Sequence, residues 1–315
     1  MTEKQFGKGE VIFRQNDEGN SFYRVTDGCV DVFADYGDAD EVRLTQLGPG
    51  AFLGEMAVIE SYPRSATAVA AADGTKVVEM TTDDINAFLT DDPDKIIEIM
   101  YHLGHRLRDL TVDYKEVSTL LDELKEGAAG SKEKMKKFTR FFKENRKLNG
   151  IESSPYKMDA GSHARGLCQN VAVYRKGAVI CREGLPGACM YDIHNGRVGI
   201  YTGYGTKECK ELTILYPDTF FGETGMICKE NRSATAVALD NDTTVETFYI
   251  EDLRDLFEKN PPKADMILRH LSYRLRRLTD KYLKACALVC EADEEGDADG
   301  TILAKIKDFK DNLYD

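Results

Sequence analysis

Two glutamate–arginine pairs, Glu55 with Arg64 and Glu223 with Arg232, are the residues of this chain best arranged to do chemistry. Each glutamate follows a glycine, and nine residues on comes an arginine that opens an Arg-Ser-Ala-Thr run. A short apolar helix opened by Gly-Glu presents free backbone N–H groups to an anion. An arginine held opposite adds a two-pronged charged donor, and the carboxylate accepts from hydroxyl groups. Phosphate on one side and ribose on the other would make a nucleotide pocket. Taken alone, a Glu and an Arg at this distance are usually a surface or structural ion pair. Recurrence at one register with the same flanks weighs against that.

The surrounding cassette must position these groups, and it occurs twice. FLGEMAVIESYPRSATAVA runs from Phe52 to Ala70, and FFGETGMICKENRSATAVA from Phe220 to Ala238. Shifting the chain by 168 aligns Gly9 to Tyr114 with Gly177 to Tyr282 without a gap, and about 39 of roughly 106 pairs are identical. That density marks an internal repeat, and two copies are too few for a solenoid. Each copy is therefore expected to fold as its own domain. The first half of each reads as short strands broken by Gly and Asp, with Asp27-Gly28 and Asn195-Gly196 as hairpin turns. A sandwich or jelly roll follows from that spacing. Beyond Ala70 and Ala238 comes a last strand pair. A short helix then begins near Asp83 or Glu251, and a long one follows Pro93 or Pro261. The expected fold class is mixed α and β: two β-roll or jelly-roll domains, each followed by helices, joined by a helical linker.

These motifs resemble the phosphate-binding cassette of cyclic-nucleotide-binding domains, the family that includes catabolite activator protein and the regulatory subunit of protein kinase A. The resemblance implies that Glu55 and Glu223 bind the ribose 2′-hydroxyl, and that Arg64 and Arg232 bind the cyclic phosphate. It implies a phosphate cradle of backbone amides at Gly54, Glu55, Met56 and Ala57, and at Gly222, Glu223, Thr224 and Gly225. Ser65 and Ser233 follow the arginines and would also meet the phosphate. Leu44 and Thr45, with Leu212 and Thr213, match positions lining the purine side. Thr111 and Thr279 match the middle of the long helix, each expected beside its own repeat's nucleotide. The ligand is cAMP or cGMP, two per chain, and serine after the arginine leaves the base open. The second repeat departs at Asp218, where glycine is usual in the turn, and at Gly225, where alanine is common. Relatives that keep the fold but lose the ligand usually lose the arginine or the glutamate, and here both survive twice.

Composition removes other classes. The net charge of −13 argues against a large nucleic-acid surface. No apolar run reaches the roughly 18 residues of a membrane span, and the start, MTEKQFGKGE, has no signal-like stretch. Eight cysteines without a Cys-x-x-Cys pair suit reduced thiols in the cytoplasm. His102 and His270 align on the long helices, but no metal spacing surrounds them. Cys286 and Cys290 read as small core residues. No metal, no cofactor and no catalytic set is expected, and so no enzyme.

The long helices carry a stripe at three- and four-residue steps. It comprises Met100, Leu103, Leu107, Leu110, Tyr114, Val117, Leu121 and Leu124 in the first repeat, and Leu268, Leu271, Leu275, Leu278, Tyr282, Ala285 and Val289 in the second. Such a stripe marks a helix-to-helix seam, although a helix packed only on its own β-roll would also be apolar on one face. Gly127 to Gly130 breaks the first helix, and a new helix from Ser131 is long enough to carry the chain back. The expected division is 1–126 for the first domain, 127–168 for the linker, 169–291 for the second domain and 292–315 for an acidic tail with a short helix. The two repeats are expected to pair within one chain as a pseudo-dimer, in preference to a homodimer, with Tyr114 facing Tyr282. Only about 25 residues, an acidic stretch, follow the long helix, and no helix-turn-helix is expected in them. A stand-alone tandem sensor read by an unidentified effector protein is the expectation. The alternatives are a scaffold with vestigial pockets and a nucleotide buffer.

Overall fold

The computed structural model describes residues 1–39, 41–145, 170–295 and 301–311. The first repeat contains β1 (Thr2–Phe6), β2 (Val11–Phe13), β3 (Ser21–Asp27), β4 (Val30–Ala34), β5 (Val42–Leu47) and β6 (Phe52–Leu53). Helix α1 (Glu55–Glu60), β7 (Thr67–Ala70) and β8 (Thr75–Thr81) complete its β-roll. Two antiparallel four-stranded sheets, in the orders β1-β8-β3-β6 and β2-β7-β4-β5, face each other. Between them lies a small core of Tyr23, Val25, Val30, Val32, Leu47, Leu53 and Val77. Alternation along β4, where Val30, Val32 and Ala34 are buried, is what sends those residues inward.

Helix α2 (Thr82–Asp91) starts on a capping box between Thr81 and Asp84, and α3 (Pro93–Lys125) starts on its proline. Proline suits that position because its missing N–H would have no helical partner there. Helix α4 (Ser131–Asn145) follows the glycine break. The connector read over 149–168 lies outside the described residues.

The second repeat repeats this plan. It has β9 (Asn170–Tyr174), β10 (Val179–Cys181), β11 (Cys189–Asn195), β12 (Val198–Thr202), β13 (Lys210–Leu215) and β14 (Phe220–Phe221). Then come α5 (Glu223–Cys228), β15 (Thr235–Ala238) and β16 (Thr243–Tyr249). A short turn of helix leads into α6 (Leu253–Lys259), then α7 (Pro261–Glu295) and α8 (Thr301–Asp311). Its sheets run β9-β16-β11-β14 and β10-β15-β12-β13, the same order as the first. Strands β1 and β9 are additions to the sequence reading. The residues of β1 are exposed or half-buried, so they show no apolar alternation to read. The acidic stretch also divides differently, with α7 continuing to Glu295.

Asp218 takes a left-handed backbone, φ 63°, at the position where the first repeat has Gly50 at φ 94°. An L-residue with a Cβ is strained there. Asp218→Gly is expected to stabilise the chain by about 0.5–1 kcal/mol, read as a higher midpoint in denaturant.

The long helices form the seam. Helix α3 packs along α7, and their stripes join one continuous core with Phe22, Phe52, Phe220 and Phe248 of both β-rolls. Leu103, Leu107, Leu121, Leu271, Ala285 and Val289 are almost fully enclosed. Tyr282 is buried in this core and Tyr114 packs against it. Burial pushes the Tyr282 phenol well above its ordinary range, with Cys286 and the α3 carboxylates Asp113 and Glu116 adding to the effect.

Helix α8 is the counterpart of α4. Lys134 of α4 bonds Glu123 of α3 at 2.6 Å, and Lys305 of α8 bonds Glu291, the matching residue of α7. Both short helices touch both long ones, so the four form a bundle at the seam. Lys310 of α8 reaches across to the Ser118 carbonyl and hydroxyl, both at 2.7 Å, and to Asp122 at 2.9 Å on α3. The expected return helix and the tail helix are thus equivalent parts, each bracing the long-helix pair.

Candidate functional site

Each letter of the cassette has a local cause. Gly54 and Gly222 sit at φ 76° and 78° as the residues preceding α1 and α5. A Cβ on either would stand 2.5 Å from Nη1 of Arg64 or Arg232. Glycine therefore allows both the turn and the approach of the arginine. Arg64 Nη1 donates to the Gly54 carbonyl at 2.7 Å, and Arg232 Nη1 to Gly222 at 2.7 Å. The arginine backbones are locked too: Arg64 N donates to Asp17 and Arg232 N to Leu185. The threonine of each Arg-Ser-Ala-Thr run accepts from the incoming loop, Thr67 from Gln15 N and Thr235 from Glu183 N. Ala66 is buried and its counterpart Ala234 half-buried, and Ser65 and Ser233 border the pockets.

The glutamate and the arginine of each cassette do not pair with one another. Glu55 instead takes Arg106 of α3, Nη1 to Oε1 at 2.6 Å, and Glu223 takes Arg274 of α7. Both glutamates are 1 % exposed. In both, Oε2 is buried with no hydrogen-bond partner among the described residues. A buried carboxylate oxygen without a donor is costly, and two of them at equivalent places point to a donor supplied from outside. Arg64 has its Nε likewise unpartnered, and burial lowers its pKa below the ordinary arginine range. Its guanidinium lies 4.4 Å from the centroid of the Phe13 ring.

The first pocket gathers Leu44, Thr45, Gly54, Glu55, Met56, Ala57, Arg64, Ser65 and Arg106. From α3 it also takes Leu110 and Asp113, and from α7 Leu275 and Thr279. Burial, with Asp109 and Glu116 nearby, raises the Asp113 carboxyl to about 6. The second pocket gathers Thr213, Gly222, Glu223, Thr224, Gly225, Arg232 and Ser233, with His270 and Arg274 of its own α7. Leu212 is half-buried on β13 and is not part of the lining.

The two helix threonines require correction. Thr279 lines the first repeat's pocket instead of its own, and Thr111 lines neither. Thr111 is exposed and donates its hydroxyl to the Leu107 carbonyl at 2.6 Å. The cause is an exchange of cassette helices across the seam. Helix α1 packs on α7, where Glu60 accepts from Ser272 and from Arg276 at 2.8 Å, and α5 packs on α3. At that second crossing Gly104 meets Ile227, and Arg108 bonds Glu230 at 3.0 Å. A threonine on α7 is thereby carried to the first pocket.

The aligned histidines pack against aromatic rings. His102 and His270 stand edge-on to Phe52 and Phe220, and burial lowers each to about 4, so both are neutral near pH 7. Away from the pockets, Asp192, His194 and Glu246 bring ligand-type atoms within 4.8 Å of one another, a grouping the sequence did not announce. Lys263 already places its ammonium against Asp192 and, at 3.3 Å, Glu246. Among the described residues no helix is long and apolar enough to cross a membrane.

Paired β-rolls with a Gly-Glu helix, an enclosed arginine and a half-satisfied glutamate define a nucleotide-recognition domain present twice. The cyclic nucleotide-binding domain family matches residues 3–92 and 171–260, and the chain belongs to that family. It is 26% identical over 235 residues to the cAMP-dependent protein kinase regulatory subunit of Blastocladiella emersonii, covering 75% of this chain and 47% of that protein. It is 32% identical over 108 residues to the cyclic AMP receptor protein of Thermus thermophilus, covering 34% of this chain and 50% of that one. Among solved structures, the catabolite activator protein of Thermus thermophilus aligns at 25% identity and a TM-score of 0.35, over 46% of this chain and 63% of that one. The chain spans about half the length of these two curated relatives.

Proposed function

We propose that this chain is a non-catalytic sensor that binds two cyclic purine nucleotides and signals by changing the packing of its long helices. The observation that carries the reading is the repeated orphan. Glu55 and Glu223 each offer one occupied and one free carboxylate oxygen beside an arginine fixed to a glycine carbonyl. The free oxygen suits a ribose hydroxyl and the arginine suits the cyclic phosphate, with the amides of Gly54–Ala57 and of Gly222–Gly225 completing the cradle. The relatives' names mention cAMP, which makes it the first ligand to try. Arg106 and Arg274 join the site as positioning residues, each fixing its glutamate from the long helix.

Calorimetric titration with cAMP and with cGMP tests this directly. Two sites per chain are expected, and a chain binding neither nucleotide would remove the reading. Thr279→Ala tests the crossed pocket. In an Arg232→Ala background, which isolates the first site, it is expected to weaken binding by several-fold. In an Arg64→Ala background it is expected to leave the second site unchanged, and equal losses at both sites would contradict the crossing.

A further inference from the structure

The second pocket differs from the first at the two positions flanking its arginine. The first repeat has Phe13 under Arg64, and the matching residue of the second is Cys181, which lines the pocket. The first holds Arg64 Nη2 with the Ser21 backbone carbonyl at 2.5 Å. The second holds Arg232 Nη2 with the sulfur of Cys189 at 3.2 Å. Sulfur is a weak acceptor, so Arg232 is less firmly tied. A thiol thus replaces a phenyl ring in the lining of the pocket. Cys181 is half-buried and faces this space with Glu223 and Arg232, whereas Cys286 is sealed in the seam core.

We propose that Cys181 is a modification site through which peroxides and soft electrophiles close the second pocket to its ligand and leave the first open. The inference rests on the reading of that pocket as a nucleotide site. With hydrogen peroxide, the Cys181 sulfur attacks one oxygen; an S–O bond forms and the O–O bond breaks. The sulfur's electron pair is the one transferred, and the departing hydroxide takes the thiol proton and leaves as water. The residue becomes a sulfenic acid. With iodoacetamide, an S–C bond forms, iodide leaves and the proton goes to solvent. Either product puts new atoms where a phosphate would approach Arg232. The first pocket has no nucleophile there, since Phe13 fills the place.

The electrostatics give the reaction a pH direction. Burial holds the Cys181 thiol above its ordinary range, the Arg232 guanidinium pulls it partly back, and Cys189 adds a small upward push. The thiolate is the nucleophile, so modification is faster at about pH 9 than at about pH 7.

The test treats the full chain and a Cys181→Ser variant with iodoacetamide, removes the reagent, maps the adducts by mass spectrometry and titrates each with cAMP. The wild-type chain is expected to fall from two sites to one as Cys181 becomes labelled. Treated Cys181→Ser is expected to match its own untreated titration although its exposed Cys209 reacts. A second readout needs no variant: saturating cAMP present during labelling is expected to slow the reaction of Cys181 several-fold and leave that of Cys209 unchanged. Two sites retained with Cys181 fully labelled, or labelling indifferent to cAMP, would overturn the proposal. An untreated chain with fewer than two sites overturns the reading of the second pocket itself, and this inference with it.

Discussion

A chain carrying both Arg64→Ala and Arg232→Ala is expected to bind no cyclic nucleotide, while each single variant keeps one site. Charge-assisted hydrogen bonds are worth about 1.5–3 kcal/mol apiece. The guanidinium offers two prongs to a phosphate, so loss of either arginine is expected to weaken its own site at least about tenfold, on the scale of 1.4 kcal/mol per decade. Arg64→Lys and Arg232→Lys keep the charge but not the fork, and should fall between wild type and alanine. Each arginine also satisfies the carbonyl of Gly54 or Gly222, so the alanine variants must be shown folded by their circular dichroism before binding is judged. Tight binding by the folded double variant would take the cassette out of the explanation.

The second large effect concerns stability. Arg106→Ala leaves the Glu55 carboxylate buried with neither oxygen paired, and breaking such a pair costs about 3–5 kcal/mol. Thermal and denaturant midpoints should fall together. Changing Glu55 to Gln in the same chain should recover most of the loss, because an amide is far less costly to bury than a charge. Arg274→Ala should cost less, since the Thr224 hydroxyl still donates to Glu223 Oε1 at 3.3 Å and Glu55 has no such second donor among the described residues. Equal losses in the two variants would show that the threonine does not set the difference.

Much of this was legible in the residues because the repeat supplies an internal control. Gly54, Glu55, Arg64 and Ser65 recur at one spacing as Gly222, Glu223, Arg232 and Ser233, and the structure brings each set to one pocket. The seam was legible through its stripe, since a face that must pack has to be apolar at helical spacing. Arg106 and Arg274 do not stand out in the sequence, although they align in an arginine-rich helix. Nothing local distinguishes an arginine that reaches a glutamate 51 residues away from one that faces water. The sequence sets Thr111 and Thr279 beside their own repeats because its order gives no sign that α1 and α5 trade partners across the seam. Strand β1 carries no sequence signal because an exposed edge strand needs backbone pairing with β8 and no apolar side chains.

Joining the two halves of the α3–α7 pair by a single polypeptide has a kinetic and an evolutionary side. Two separate chains meeting through one helix would associate only above a concentration set by their affinity. Tethered partners meet at an effective concentration of about millimolar for short linkers, however dilute the protein. The tether also frees the halves from identity. In a symmetric assembly of one repeat, a substitution such as phenylalanine to cysteine would enter both pockets together. Here Phe13 and Cys181, Gly104 and Ser272, and Asp113 and Lys281 occupy matching positions with different chemistry. Duplication within one chain has thus let the two linings diverge, while Leu275 and Thr279 of α7 still tie the first pocket to the second repeat.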